Sequence, residues 1–97
     1  MPVYIGLYKF TDQGIKSIKE APQRVQDATA AVGKMGGKVI GVWSTMGEYD
    51  YVTVGEFPND AAAAAYALAL GSRGNVKTTT LKAFTVDEFT KIVKSIP

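Results

Sequence analysis

The sequence KVIGVWSTMGEYDYVTVGEF, residues 38–57, holds two strand-like segments joined by a very short connection. Residues 38–45 and residues 49–57 are rich in β-branched and aromatic side chains, which favour β-strands. The three residues between them, Met-Gly-Glu, are long enough only for a hairpin connection. The stretch therefore predicts two adjacent antiparallel strands in the middle of the chain.

A helical segment lies on each side of this hairpin. Upstream, apolar residues recur at helical spacing over residues 25–35, Pro22 suits the first turn, and a Gly-Gly pair ends the pattern. Downstream, the run AAAAAYALAL at residues 61–70 is strongly helix-forming. Asn59 or Asp60 can accept hydrogen bonds from the free amides at the start of that helix.

The outermost segments complete the order of elements. Residues 3–10 and 76–84 are predicted to be strands, and TVDE at residues 85–88 has capping-box spacing before a final amphipathic helix. The order is β-α-β-β-α-β-α. Its first six elements match the ferredoxin-like βαββαβ arrangement, an antiparallel sheet with two helices on one side. We therefore predict a single α+β domain over residues 1–97, with an extra C-terminal helix.

Neither side of the predicted sheet is polar. Alternation along the strands separates an aliphatic side from an aromatic, hydroxyl-bearing side. The aliphatic side includes Ile5, Leu7, Ile40, Val42, Val52, Val54 and Leu81; the aromatic side includes Tyr4, Tyr8, Trp43, Tyr49 and Tyr51. We expect the helices to cover the aliphatic side. Because monomers rarely expose large aromatic patches, we expect a second copy to cover the other side, which gives a homo-oligomeric, dimeric α+β barrel.

Composition excludes several kinds of chemistry. The 97 residues include no cysteine and no histidine, which removes disulfides, thiolate nucleophiles and Ser-His-Asp catalysis. The acidic residues are scattered, so we predict no metal site and no cofactor. Eleven basic and nine acidic residues give a net charge of +2, too weak to indicate nucleic-acid binding.

The same features bear on location. The longest apolar run, residues 61–70, is half the roughly 20 residues that a membrane span requires. The chain starts with a strand-like segment and shows no signal-peptide pattern. We therefore expect a cytoplasmic protein that does not interact with a membrane.

Tyr49 and Asp50 are the first candidate site residues. A carboxylate beside a phenol at the mouth of a strand can orient a polar ligand, or act as a base if burial raises its pKa. The structural alternative is that Asp50 fixes the hairpin turn, because aspartate often accepts hydrogen bonds from local amides.

Arg24 and Trp43 are the other two candidates. Arg24 lies at a helix start, where the helix dipole disfavours a cation, so we expect a specific partner: Asp50, a ligand anion or a structural ion pair. Trp43 and the tyrosines can line a pocket for an aromatic or lipophilic molecule. Aromatic residues are also common in dimer cores, which is the structural alternative.

The segment GEYDYV, with Gly47, Tyr49 and Asp50, resembles the signature of the GYD-domain family. Residues 11–24 and 74–84 also fit that family in order and spacing. The resemblance implies a ferredoxin-like, dimeric α+β barrel and no established activity. Relatives by fold include cofactor-independent monooxygenases and ligand-sensing domains, but a shared fold does not carry function.

Three functional hypotheses follow. The leading one is a homo-oligomeric GYD-type domain that binds a small organic molecule with Tyr49, Asp50, Arg24 and Trp43. An enzymatic alternative is a cofactor-independent oxygenase or isomerase that uses Asp50 as base and Tyr49 as hydrogen-bond donor. The remaining alternative is a structural assembly module without a ligand.

Overall fold

The computed structural model describes all residues of the chain, 1–97, and confirms an α+β fold. Its elements are β1 (Val3–Phe10), α1 (Asp12–Lys16), a 3-10 turn (Ile18–Glu20), α2 (Ala21–Lys34), β2 (Lys38–Ser44), β3 (Tyr51–Glu56), α3 (Asp60–Ser72), β4 (Val76–Ala83) and α4 (Val86–Lys94). None of the helices is both long enough and apolar enough to cross a membrane.

The four strands form one antiparallel sheet in the order β2-β3-β1-β4. The two central strands are β1 and β3, and Gly6 of β1 lies between Thr53 of β3 and Thr80 of β4. This is the ferredoxin-like arrangement that the order of elements predicts. The third strand begins at Tyr51 rather than at residue 49, so Tyr49 and Asp50 belong to the connection between β2 and β3.

The helix ends follow the signals in the sequence. Pro22 lies in the first turn of α2, and the Asn59 side chain accepts a hydrogen bond from the Ala62 amide at the start of α3. Gly36, with φ of 80°, follows α2 in a conformation that favours glycine. Thr85 and Glu88 form the predicted capping box of α4.

The two long helices cover the aromatic side of the sheet, so the prediction that they cover the aliphatic side is wrong. Tyr4 is only 6% exposed and packs with Val32 of α2, Ala63 of α3 and Phe57. Helices that present small residues such as Ala63 leave a gap above the sheet, and tall aromatic side chains fill it better than aliphatic ones.

Trp43 lies on the other side of the sheet from these tyrosines, contrary to the prediction. The pairing of β2 with β3 shifts register between Val39 and Gly41, so one extra residue enters β2. Because side chains alternate along a strand, this β-bulge moves Trp43 to the side opposite Val39. The indole lies over Gly41, where a Cβ atom would overlap the ring.

The side of the sheet without helices is a continuous apolar surface, which we call the open face. Its members are neighbours in the strand register: Ile5, Leu7, Trp43, Val52, Val54 and Leu81. Trp43 is 54% exposed and Leu81 46% exposed. No element of the chain packs on the open face.

The last helix also lacks a partner within the chain. Helix α4 barely touches the other elements, and its apolar stripe is exposed: Phe89, Ile92, Val93 and Ile96. The chain therefore measures 51 × 30 × 19 Å, with a radius of gyration of 14.7 Å. A compact domain of this length has a radius of gyration of about 12.5 Å. The isolated chain is more extended than a self-sufficient domain.

Helix α3 is apolar on all sides. Its inner side contributes Ala63 to the core, whereas Ala61, Ala64, Ala65 and Leu68 on other sides are exposed. Leu68 is 75% exposed. Helices with this pattern are usually buried on every side. Helix α3 therefore presents a second apolar surface, separate from the open face.

Candidate functional site

A cavity of about 120 Å³ lies between helices α2 and α3 and the helix-covered side of the sheet. Tyr8 and Thr53 contribute to its wall on the sheet side, and Ala28 and Tyr66 on the helix side. Most of the other lining side chains are apolar. A largely apolar cavity with a few polar groups is typical of small-molecule sites.

Gly6 explains part of this architecture. A Cβ atom on Gly6 would overlap the Tyr8 hydroxyl and the Thr53 hydroxyl. The glycine therefore makes room for the Tyr8 side chain, whose hydroxyl lies 3.3 Å from that of Thr53. Above the sheet, Ala28 is too small to fill the space between α2 and the tyrosines. The small Ala28 side chain above the tyrosines therefore leaves the cavity open.

Two phenols border the cavity. Burial raises the pKa of Tyr8. Burial, with a smaller contribution from the nearby Tyr8, raises the pKa of Tyr66 to about 12, although Arg73 opposes the shift. The Tyr66 hydroxyl donates a long hydrogen bond of 3.4 Å to the Ala28 carbonyl. Both side chains therefore stay uncharged at neutral pH.

Arg24 lines the cavity, but its guanidinium is held by the backbone of α1 and the turn after it. It donates to the carbonyl oxygens of Ser17 at 3.0 Å and Gly14 at 3.2 Å. Its Nη1 atom also lies 3.9 Å from the Glu20 carboxylate. A cation at the carboxyl end of a helix stabilises the free carbonyls there. Of the three partners considered for Arg24, Asp50 is not the one found; the guanidinium is held by these carbonyls, with Glu20 as a structural ion pair.

Arg73 and Asn75 border the same cavity just after α3 ends. The Asn75 side-chain oxygen accepts a hydrogen bond from Gln13 at 3.0 Å, which leaves its NH₂ group as a donor. No aspartate or glutamate lines the cavity. The charged side chains in its wall are therefore the two arginines, Arg24 and Arg73.

Asp50 ties the connection between β2 and β3 to the end of β1. Its carboxylate accepts a hydrogen bond of 2.8 Å from the Phe10 amide, and its own amide donates to the Tyr8 carbonyl at 2.8 Å. Its carbonyl accepts from the Thr45 amide at 2.9 Å. These bonds match the structural alternative, in which Asp50 fixes a turn.

The four predicted site residues do not form one pocket. Arg24 lines the cavity, but Tyr49, Asp50 and Trp43 do not. Trp43 lies on the open face, and the Tyr49 ring is exposed enough for the Lys9 ammonium to lie 5.3 Å from its centroid. A ligand-binding role for these three residues stays a prediction. No group of three or more acidic side chains comes together in a way that could hold a metal ion.

Sequence reasoning missed Thr53 and Tyr66 as cavity residues. One signal was available for Tyr66, because it is the single aromatic residue in the alanine-rich run at residues 61–70. A single tyrosine among the alanines of a helix indicates that the sheet facing the helix leaves room for one large side chain. No comparable signal in the sequence indicates Thr53, which looks like any β-branched strand residue.

The chain thus has a ferredoxin-like sheet covered by helices on one side only, with a cavity beneath the helices. This combination defines a small α+β domain of the ferredoxin-like class. The family model of the GYD domain matches residues 4–93, nearly the whole chain. The chain belongs to the GYD-domain family, as the segment GEYDYV indicates.

One relative is similar to this chain over most of the length of both sequences. It is a protein of Thermus thermophilus named "Glutamine synthetase and cystathionine beta-lyase binding protein". It is 36% identical over 87 residues, which cover 89% of this chain and 92% of the relative. No solved structure gives a significant match.

Proposed function

We propose that this GYD-domain protein is a homo-oligomeric binding protein that acts by association rather than by catalysis. The observation that carries the proposal is the open face, a continuous apolar surface on which nothing in the chain packs. Monomeric proteins seldom expose apolar patches of this extent. The uncovered stripe on α4 supports the same conclusion.

The occupant of the open face is a second copy of the chain. Two such sheets packed face to face bury their aliphatic side chains and Trp43 together, as in an α+β barrel. Helix α4 then packs on the partner chain, which accounts for its isolation within its own chain. Within the chain the sheet is packed only on its helix-covered side, so association supplies the missing half of the core.

The relative's name supports a protein partner, an enzyme of the glutamine synthetase or cystathionine beta-lyase kind. We propose that the outer surface of α3 contacts it. That surface is apolar, includes the exposed Leu68, and is not used when two sheets pack face to face. The oligomer would thereby display one α3 surface for every chain.

Small-molecule binding is a second candidate function, and the cavity between the helices and the sheet supports it. Its walls are largely apolar with hydroxyl groups from Tyr8 and Thr53. The enzymatic alternative is weaker. The Asp50 carboxylate is bonded to the Phe10 amide and lies outside the cavity, so a base there would have no enclosed substrate beside it.

Two matched variants test the proposal. Leu81→Glu places a charge on the open face, and Leu68→Glu places the same charge on the outer surface of α3. Both leucines are exposed in the single chain, so both variants should fold. We expect Leu81→Glu to dissociate the oligomer in light scattering and Leu68→Glu to leave its mass unchanged.

The same variants test the enzyme partner. Purified glutamine synthetase and cystathionine beta-lyase from the protein's own host are immobilised and exposed to each variant in biolayer interferometry. We expect the wild type to bind at least one of the two enzymes and Leu68→Glu to lose that binding. Binding of neither enzyme would contradict the protein-partner proposal, and an intact Leu81→Glu oligomer would contradict the role of the open face.

A further inference from the structure

The end of the cavity near Arg73 is positively charged. Arg24 and Arg73 are the charged side chains in the wall, and no carboxylate lines it. Arg24 has Glu20 at 3.9 Å, but no acidic side chain lies within ion-pair distance of the Arg73 guanidinium. Arg73 is also exposed, so its side chain is free to contact a bound molecule.

The remaining polar groups at this end add no negative charge. Asn75 has its side-chain oxygen bonded to Gln13 and offers its NH₂ group. Tyr8 and Tyr66 are half-buried phenols that stay protonated at neutral pH. An uncompensated guanidinium beside an apolar space favours a ligand that carries an anion next to an apolar body.

From this arrangement we propose that the cavity binds a small monocarboxylate with a planar apolar body, its ring among the tyrosines and its carboxylate on Arg73. The cavity of about 120 Å³ is slightly smaller than the roughly 150 Å³ of a dry cavity that accepts one benzene ring, but it opens toward solvent, which leaves room for the carboxylate. Arg73 binds a carboxylate well because its planar fork matches the two oxygens. The inference rests on the small-molecule candidate of the proposed function and adds the chemical class of the ligand.

The test is a titration of ¹⁵N-labelled protein followed by NMR at constant ionic strength. The probes are benzoate, the uncharged benzamide and the cationic benzamidine, which share one shape. The amides to follow are those of Gly6, Ala28 and Tyr66, around the cavity. We expect benzoate to shift these amides, benzamide to bind at least about tenfold more weakly, and benzamidine to bind least.

Two variants assign the effect to the cavity. Arg73→Gln should weaken benzoate about tenfold or more and leave benzamide unchanged, because only the charge-assisted hydrogen bonds are lost. Lys34→Gln, an exposed lysine that does not line the cavity, makes the same charge change and should leave benzoate binding unaltered. Ala28→Leu should fill the cavity and abolish the binding of both probes.

Three results would overturn the inference. Equal affinity for benzoate and benzamide, or no effect of Arg73→Gln, would leave small-molecule binding intact but remove the anion preference. Absence of any shift up to about 10 mM, the weak limit for a ligand of this size, would reject both the inference and the small-molecule candidate. Light scattering on the same samples measures the mass of the oligomer, so the self-association proposal is tested independently of ligand binding.

Discussion

At the residue scale, two glycines in helical segments have opposite roles. Gly14 in α1 is buried, and a Cβ atom there would overlap the Asn75 carbonyl oxygen, part of the backbone between α3 and β4. Gly33 in α2 has nothing within contact distance of an added Cβ atom. Of the two glycines, only Gly14 is needed for a close approach, that of α1 to the backbone at Asn75.

The same substitution, glycine to alanine, is expected to have opposite effects on stability at these two positions. Gly14→Ala should lower the free energy of unfolding by about 2–3 kcal/mol, because the backbone of residue 75 must move. Gly33→Ala should raise it by about 0.5–1 kcal/mol, because alanine favours the helix and limits the unfolded chain. Urea denaturation at fixed protein concentration measures both. Equal effects of the two substitutions would contradict the close approach at Gly14.

Asp50 is predicted to matter for stability through its bond to the Phe10 amide. Asp50→Ala should cost about 1–2 kcal/mol of unfolding free energy, because the amide loses a charged acceptor. Asp50→Asn should cost less, because the amide oxygen still accepts. Chemical denaturation measures the difference. An unchanged stability in Asp50→Ala would mean that the carboxylate is not needed to hold the β2–β3 connection, which would revive a functional role.

We expect the stability of the fold to fall in acid, because Asp60 is held as a carboxylate by Tyr4 and Lys82. The hydrogen bond from Tyr4, and then that from Lys82, lowers the pKa of Asp60 below its usual 3.8. The folded state therefore favours the carboxylate form of Asp60. Its contribution to the stability of the fold is fully present above the usual pKa and is lost as the pH falls through the lowered pKa. Tyr4→Phe removes the largest cause and should reduce the pH dependence of unfolding between about pH 4 and 2.

Tyr66→Phe is the control for this acid effect. It also removes a partly buried hydroxyl, but the Tyr66 hydroxyl bonds the Ala28 carbonyl rather than a carboxylate. Thermal unfolding followed at several acidic pH values should show a reduced slope in Tyr4→Phe only. The same slope in Tyr4→Phe and the wild type would show that Asp60 gains nothing from the phenol.

At the element scale, helix α4 is the part of the chain that does not depend on the rest of its own fold. It is well formed, with a capping box at Thr85 and Glu88, yet its apolar stripe packs on nothing. An isolated helix of nine residues is only marginally stable in water. We infer that packing against a second copy supplies the missing stabilisation.

Truncation after Phe84 tests this role of α4. The shortened chain, residues 1–84, should keep the circular dichroism of the sheet and the two long helices, because those elements barely touch α4. Its self-association should weaken by at least about tenfold, since the partner loses the stripe that includes Phe89. Sedimentation velocity measures the association. Unchanged association would mean that α4 lies outside the interface.

The order of the elements was predictable from local signals. Pro22, Asn59 and Thr85 lie at helix starts for reasons that operate within four residues, and the strand β1 was predicted with its observed ends. The covered side of the sheet was not predictable in the same way. Alternation separates two sides, but when both are apolar only the three-dimensional fit to the alanine-rich helices decides which side is covered.

The site was less predictable than the fold, for two physical reasons. The β-bulge after Val39 is not visible in the sequence, and it moved Trp43 to the open face. The cavity depends on side chains from separate elements, such as Tyr8 of β1 and Tyr66 of α3, whose meeting no local pattern reveals. Arg24 was recognised as unusual because a cation at a helix start requires a reason, and the carbonyls of α1 provide it.

At the scale of the whole molecule, the single chain is an incomplete protein. Its five buried apolar residues form a shallow core, no side chain is fully enclosed, and both the open face and α4 remain uncovered. A chain of this size has little core to spare, so association is an effective way to bury more apolar surface. The proposed enzyme partner and the proposed carboxylate site both belong to the side that association leaves accessible.

The most direct test of this account is the mass of the unmodified protein in solution. Light scattering at low micromolar concentration, combined with acrylamide quenching of the single tryptophan, reports the oligomer and the environment of Trp43 together. We expect a mass of at least two chains and a tryptophan protected from the quencher. A mass of one chain at every concentration, with Trp43 freely quenched, would contradict the covered open face.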